Sequence, residues 1–147
     1  MIQLPDDFKD FLKLLNNAGA EYLLVGGYAV AYHGYPRATG DMDLWIAVNP
    51  ENADRMVRAL REFGFDASNL SADLFLTADR IVQLGVPPMR IEIHTGVSGV
   101  EFADCKSRCL TDELAGVLVR ILSLTDLKRN KQAAGRTKDR NDLEHLP

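Results

Sequence analysis

The sequence predicts an α/β (α+β) domain: a small mixed β-sheet flanked by helices, with two further helices at the C-terminal end. Three observations carry that prediction. Some stretches repeat apolar residues every three or four positions, others alternate them, and the two kinds interleave along the chain. With 147 residues, 46% of them hydrophobic, the chain can bury one core without disulfides or a structural metal. Residues 1–147 therefore read as a single domain, with its core over about 20–122 and a helical segment over about 123–147.

Leu4, Phe8, Phe11, Leu12 and Leu15 recur at helical spacing around Pro5, and Gly19 closes the pattern, so a helix is expected over 5–18. A short buried strand, YLLV, comes next. Gly26 and Gly27 then precede a brief helix, YAVAYH, which Gly34 and Pro36 stop. From Asp41 to Val48 the pattern alternates: Met42, Leu44, Ile46 and Val48 face one way, and Asp41, Asp43, Trp45 and Ala47 the other. Asn49 and Pro50 form a cap and first turn for a helix whose inner stripe is Ala53, Met56, Val57, Leu60 and Phe63, ended by Gly64. Strands are expected at 74–77 (LFLT), 80–85, 89–95 and 117–122, the third bounded by Pro87, Pro88 and Gly96. Helices over 123–134 and about 138–146, separated by Gly135, complete the chain.

Composition excludes several classes. Cys105 and Cys109 have no second Cys/His pair at ligand spacing, so they read as ordinary thiols rather than a zinc knuckle or a secreted framework. A net charge of −4 argues against a generally basic nucleic-acid binder, although between residues 128 and 140 six basic residues meet only Asp139. The N-terminal stretch lacks a signal-peptide pattern, and the longest uncharged run, Tyr22 to Pro36, is shorter than the ~20 residues of a spanning helix. These features lead to the expectation of a cytoplasmic protein with no membrane partner.

The chemistry concentrates in three places. Residues two apart on a strand share a face, so Asp41 and Asp43 aim their carboxylates at one small volume. Adjacent anions repel unless a cation lies between them, and oxygen ligands that leave room for water and phosphate suit Mg²⁺ or Mn²⁺. In MRIEIHT, burial of Ile91 and Ile93 puts Arg90, Glu92 and His94 on the opposite face, which makes Glu92 a candidate third ligand. Gly26 and Gly27 lack side chains at a strand-to-helix turn, where backbone N–H groups can approach a phosphate.

Three further polar residues complete the expected site. Arg37 and Thr39 lie in the loop entering the aspartate strand, within reach of phosphate or ribose. Lys131 shares a helix stripe with Leu124, Leu127 and Ala134, so its inward ammonium needs an anion, either a triphosphate or an adjoining carboxylate. Asp139 is expected to pair with Arg136 or Lys131. His33 and His94 read as surface or core histidines, and Trp45 as a packing residue beneath a helix.

Val25-Gly26-Gly27, thirteen residues, Asp41-Met42-Asp43-Leu44 and a later Ile91-Glu92-Ile93 together resemble the signature of the polymerase-β-type nucleotidyltransferase superfamily. RATGDMDLWI and LSLTDLKRNKQAAGRTKDRNDLEHL are similar to stretches of small bacterial nucleotidyltransferases of the abortive-infection toxin type. The resemblance implies Gly26 and Gly27 as a triphosphate cradle, and Asp41, Asp43 and Glu92 as catalytic metal ligands. Glu92 departs from the more common Asp. The implied activity is Mg²⁺- or Mn²⁺-dependent transfer of a nucleoside monophosphate from an NTP, ATP among them, to a hydroxyl of RNA, tRNA, protein or a small molecule. The toxin-type likeness implies a cognate antitoxin or partner subunit. Two other readings are an inactive nucleotide-binding module of the same fold and an antibiotic-modifying enzyme.

Overall fold

The structure is a computed structural model that describes residues 3–65, 68–86 and 88–147. Helix α1 (Asp6–Ala18) starts after Pro5, whose missing N–H suits a helix start, and ends at Gly19 in the left-handed region. It buries Phe8, Phe11, Leu12 and Leu15. Strand β1 (Tyr22–Val25) is buried on both faces, and α2 (Gly26–Tyr32) follows without a loop, so the helix begins at the glycines themselves. Strand β2 (Met42–Ile46) and helix α3 (Pro50–Phe63) lie close to their expected bounds.

Asn49 caps α3 by accepting from the Asn52 backbone N–H at 2.8 Å. The buried Asn52 side chain donates to the carbonyls of Glu21 and Ala47 and accepts from the Glu21 N–H, which pins α3 to the ends of β1 and β2. Strands β3 (Ile81–Leu84) and β4 (Ile91–His94) match the expected segments within a residue or two, although Pro87 lies outside the described residues.

The strand expected over LFLT is instead a 3₁₀ helix, Ala72–Phe75. Its one fully buried side chain, Phe75, sets its packing against α3, while Leu76 beside it is exposed; a strand would need alternate burial over several residues. Helix α4 (Phe102–Arg108) and strand β5 (Leu110–Leu114) were not expected. Strand β6 (Val117–Ile121) and helices α5 (Leu124–Ala134) and α6 (Thr137–His145) close the chain as the pattern predicted.

Among the described residues, six strands form one mixed sheet in the order β3-β4-β2-β1-β6-β5. Two pairings build the site. β1 runs antiparallel to β2 with Val25 opposite Asp43, and β4 runs parallel to β2 with Asp43 opposite Glu92 and Trp45 opposite His94. Neighbouring strands lie about 4.8 Å apart, so this register sets Asp43 and Glu92 side by side and brings the Gly26 turn onto Asp43. Met42, Leu44, Ile46, Ile91 and Ile93 are buried on the other face, which fixes the register: a one-residue slip would drive both acids into the core.

Candidate active site

A cleft of about 710 Å³ opens over the ends of β1, β2 and β4. Asp41, Asp43, Glu92 and His94 line one part of it; Gly26, Gly27 and Thr39 line another, with Arg37, Lys131, Arg136 and Lys138 close by. All eight expected site residues thus meet in one cavity.

Asp43, Glu92 and His94 each offer a ligand atom, and those atoms lie within 4.8 Å of one another. His94 Nε2 is 2.9 Å from Asp43 Oδ1. Asp41 is held differently: Arg90 Nη2 donates to its Oδ2 at 2.8 Å and stands 4.0 Å from Glu92 Oε1. That hydrogen bond from Arg90 holds the Asp41 carboxyl below the usual carboxylate range against the opposing effect of burial, helped by a hydrogen bond from Glu92. Burial pushes the Glu92 carboxyl up, and its hydrogen bond to Asp41 and the negative charges of Asp43 and Asp41 push it further. The Arg90 Nε, buried, has no hydrogen-bond partner among the described residues.

The glycine turn is shaped by its neighbours. Gly26 has φ +65°, and a Cβ there would lie 2.8 Å from Asp43 Cβ and Cγ. A Cβ on Gly27 would lie 2.9 Å from Thr39 Cβ and 3.4 Å from Arg37 Nη1. Both positions therefore keep a slot of bare backbone between the acids and the Arg37–Thr39 loop.

Other expected residues fall into place around this slot. Lys131 is buried, its Nζ 3.1 Å from both Asp139 Oδ1 and Asp142 Oδ2, so it meets the adjoining carboxylates. Asp139 also accepts from Arg136 Nε at 2.7 Å, which gives it both of its expected partners. Arg37 donates Nε and Nη2 to Asp142 at 2.8 and 3.0 Å. Trp45 is buried with its ring edge-on to Phe102 of α4, and His33 Nε2 lies 2.7 Å from the Leu122 carbonyl.

Three residues of the cleft or its wall were missed. The alternation places His94 on the acidic face beside Glu92, but in isolation it reads as a surface or core histidine rather than a ligand. Asp142 follows Asp139 by three positions and so shares its helix face. Asp79, at φ +55°, packs where a Cβ on Gly96 would clash, and nothing in its local sequence marks it. The basic C-terminal run is less free than its composition implies. Arg129 pairs with Asp126, Arg136 with Asp139, Lys128 with the Pro147 carbonyl, and Lys131 is buried.

No family model and no curated protein matches this sequence. Seven chains of known structure match it. One is a candidate nucleotidyltransferase from Thermotoga maritima, at a TM-score of 0.64 and 18% identity, covering 93% of this chain and 88% of that one. Another is an antigenic nucleotidyltransferase-like protein from Paracoccidioides brasiliensis, at a TM-score of 0.55 and 19% identity, covering 93% of this chain and 70% of that one. The chain has a nucleotidyltransferase fold. In this chain the acid-bearing strands and the glycine turn surround one cleft. Among the described residues, no helix is long and apolar enough to cross a membrane.

Proposed function

We propose that the protein is a metal-dependent nucleotidyltransferase that moves a nucleoside monophosphate from an NTP to a hydroxyl acceptor. The observation that carries this reading is the register that places Asp43 beside Glu92, with Asp41 in the same cleft, facing the Gly26–Gly27 slot. The donor set fits a divalent cation: carboxylate oxygens from Asp43 and Glu92 with an imidazole nitrogen from His94, a mixture that suits Mn²⁺ and tolerates Mg²⁺. Asp41, now held by Arg90, would add a further carboxylate to the set if that hydrogen bond were released. When bound, the cation supplies charge neutralisation and activation of the oxygen that attacks phosphorus.

The chain's own groups do the rest. The backbone at Gly26 and Gly27 receives the polyphosphate, and Arg37 with Thr39 borders it. Asp41, Asp43 and Glu92 would hold the cation, whose charge would offset their repulsion of the α-phosphate and let it approach the acceptor oxygen. A bond forms between the acceptor oxygen and the α-phosphorus, the bond to pyrophosphate breaks, and the hydroxyl proton passes to Glu92 and on to solvent.

ATP and other NTPs are donors of the right chemistry, and RNA or tRNA ends, protein hydroxyls and small molecules are the acceptor classes. Labelled NTPs with Mg²⁺ or Mn²⁺ and a cell extract test the reading by showing which class takes the label. Asp41→Asn/Asp43→Asn should fold and transfer nothing; full activity in that double variant refutes the mechanism. A toxin with a cognate antitoxin should arrest growth on expression, and the same double variant should not.

A second reading, a nucleotide-binding regulatory module without turnover, draws support from one observation. Arg90 ties up Asp41. Nucleotide binding without pyrophosphate release would select it.

A further inference from the structure

Helix α6 contributes little apolar surface to the fold; its buried residues are Asp139 and Asp142. A helix docked by two buried carboxylates needs cations to meet them, and these come from the cleft wall. Asp142 is 1% exposed and does not itself line the cleft. It accepts hydrogen bonds from Arg37 Nε at 2.8 Å and Nη2 at 3.0 Å, and forms an ion pair with Lys131 Nζ at 3.1 Å. Burial pushes its carboxyl up, but the hydrogen bonds from Arg37 and Lys131 outweigh that and hold it below the usual carboxylate range, so it stays ionised.

The geometry of the guanidinium gives this pair a direction. Arginine presents its N–H groups along the edges of a rigid plane, and a carboxylate that takes the Nε/Nη2 edge leaves Nη1 free to serve another anion. Here Nη1 lies beside Gly27, 3.4 Å from where a Cβ would sit, so the free corner of the fork borders the bare-backbone slot. Asn141 of the same helix donates to the Tyr35 hydroxyl at 3.1 Å, and His145 stacks on the Tyr35 ring. The whole Tyr35–Arg37 segment is thereby fastened to α6.

We propose that Asp142 is a positioning residue for the polyphosphate: from behind the cleft wall it grips one edge of Arg37 and aims the other at the slot over Gly27. The inference rests on the nucleotidyl-transfer reading and adds to it a group that never touches substrate. It also makes a prediction opposite in sign to simple electrostatics. Neutralising a carboxylate behind an anion site should tighten anion binding through charge alone, whereas loss of the grip should weaken it.

The test is calorimetric binding of inorganic triphosphate with Mg²⁺, and NTP kinetics, on the full chain. Asp142→Asn keeps the shape and loses the charge. Its affinity for triphosphate should fall about tenfold, the size of one charge-assisted hydrogen bond, with KM for NTP rising in parallel and kcat changing less than about twofold. In an Arg37→Ala background the same substitution should have no further effect on affinity. Unchanged or tighter binding by Asp142→Asn, or an additive loss in the double variant, overturns the proposal. If Asp142→Asn does not fold, Arg37→Lys carries the test: it keeps the charge without the fork and should lose about tenfold in affinity, and retained affinity overturns the proposal. A wild-type chain that binds neither triphosphate nor NTP sinks the nucleotidyl-transfer reading itself; binding that is indifferent to Asp142 sinks only this inference.

Discussion

Replacing Gly26 by alanine should damage both the fold and the site, by amounts that a second glycine calibrates. Gly26 has φ +65° and Gly116, in the β5–β6 turn, has φ +84°, so an alanine at either position meets the left-handed penalty of about 1–2 kcal/mol. Gly116 has nothing within 4 Å of a new Cβ. At Gly26 the new Cβ would lie 2.8 Å from two carbons of Asp43, roughly 0.7 Å inside the ~3.5 Å at which carbon contacts become favourable. Overpacking of that kind adds about 1–3 kcal/mol.

Gly26→Ala should therefore lose about 2–5 kcal/mol and Gly116→Ala about 1–2 kcal/mol. For a domain of this size each kcal/mol corresponds to about 2–4 °C, so the respective falls in Tm are about 4–20 °C and about 2–8 °C. The loss of unfolded-state entropy is common to both substitutions and cancels in the comparison. Because β1 and β2 hold the backbone, relief at Gly26 must come from displacement of the Asp43 carboxylate, and a misplacement near 1 Å costs about 100-fold in rate. Thermal melts and pyrophosphate release on the two variants read both effects. Equal Tm losses together with full activity in Gly26→Ala would refute the reasoning.

Two further predictions follow from the ionised groups. Glu92 has a carboxyl raised above its ordinary 4.5, so the folded state prefers it protonated, and stability should decline as pH rises from 4.5 through the raised value. Glu92→Gln should abolish that decline and raise Tm at neutral pH by about 1–8 °C, corresponding to about 0.5–2 kcal/mol, while abolishing transfer; a lower Tm would contradict the assigned repulsion. Asp126, Asp139 and Asp142 have carboxyls lowered below 3.8, with hydrogen bonds from their basic partners outweighing the effect of burial. Their contribution to stability should be complete above 3.8 and disappear as pH falls through the lowered values, which Tm measured from pH 6 to pH 2 checks; a loss centred above pH 5 would contradict it.

Much of this arrangement was legible because alternation on a strand is simple to read. Asp41 and Asp43 opposite Met42, Leu44 and Ile46, and Glu92 opposite Ile91 and Ile93, announce which side chains face away from the core. What the pattern does not contain is the pairing of β2 with β4, strands separated by α3 and β3, and that pairing sets Asp43 against Glu92 and brings in His94. Arg90 was read onto the same face, yet its hold on Asp41 depends on the same register. LFLT misled because a short apolar run does not distinguish a strand from a 3₁₀ turn, and only Phe75 of that turn is fully buried.

Helix α4 and strand β5 went unread for related reasons. α4 buries only Cys105 among its residues, and β5 is an edge strand exposed over all but Leu114. Lys131 was recognised as an inward cation, whereas its second partner, Asp142, depends on α6 folding back on α5.

The most direct measurement is the anomalous signal of Mn²⁺ in crystals grown with a non-hydrolysable NTP. The account predicts Mn²⁺ within bonding distance of Asp43 and Glu92, with the polyphosphate lying over Gly26 and Gly27. Manganese bound away from both acids, or a nucleotide seated outside the cleft, would contradict it.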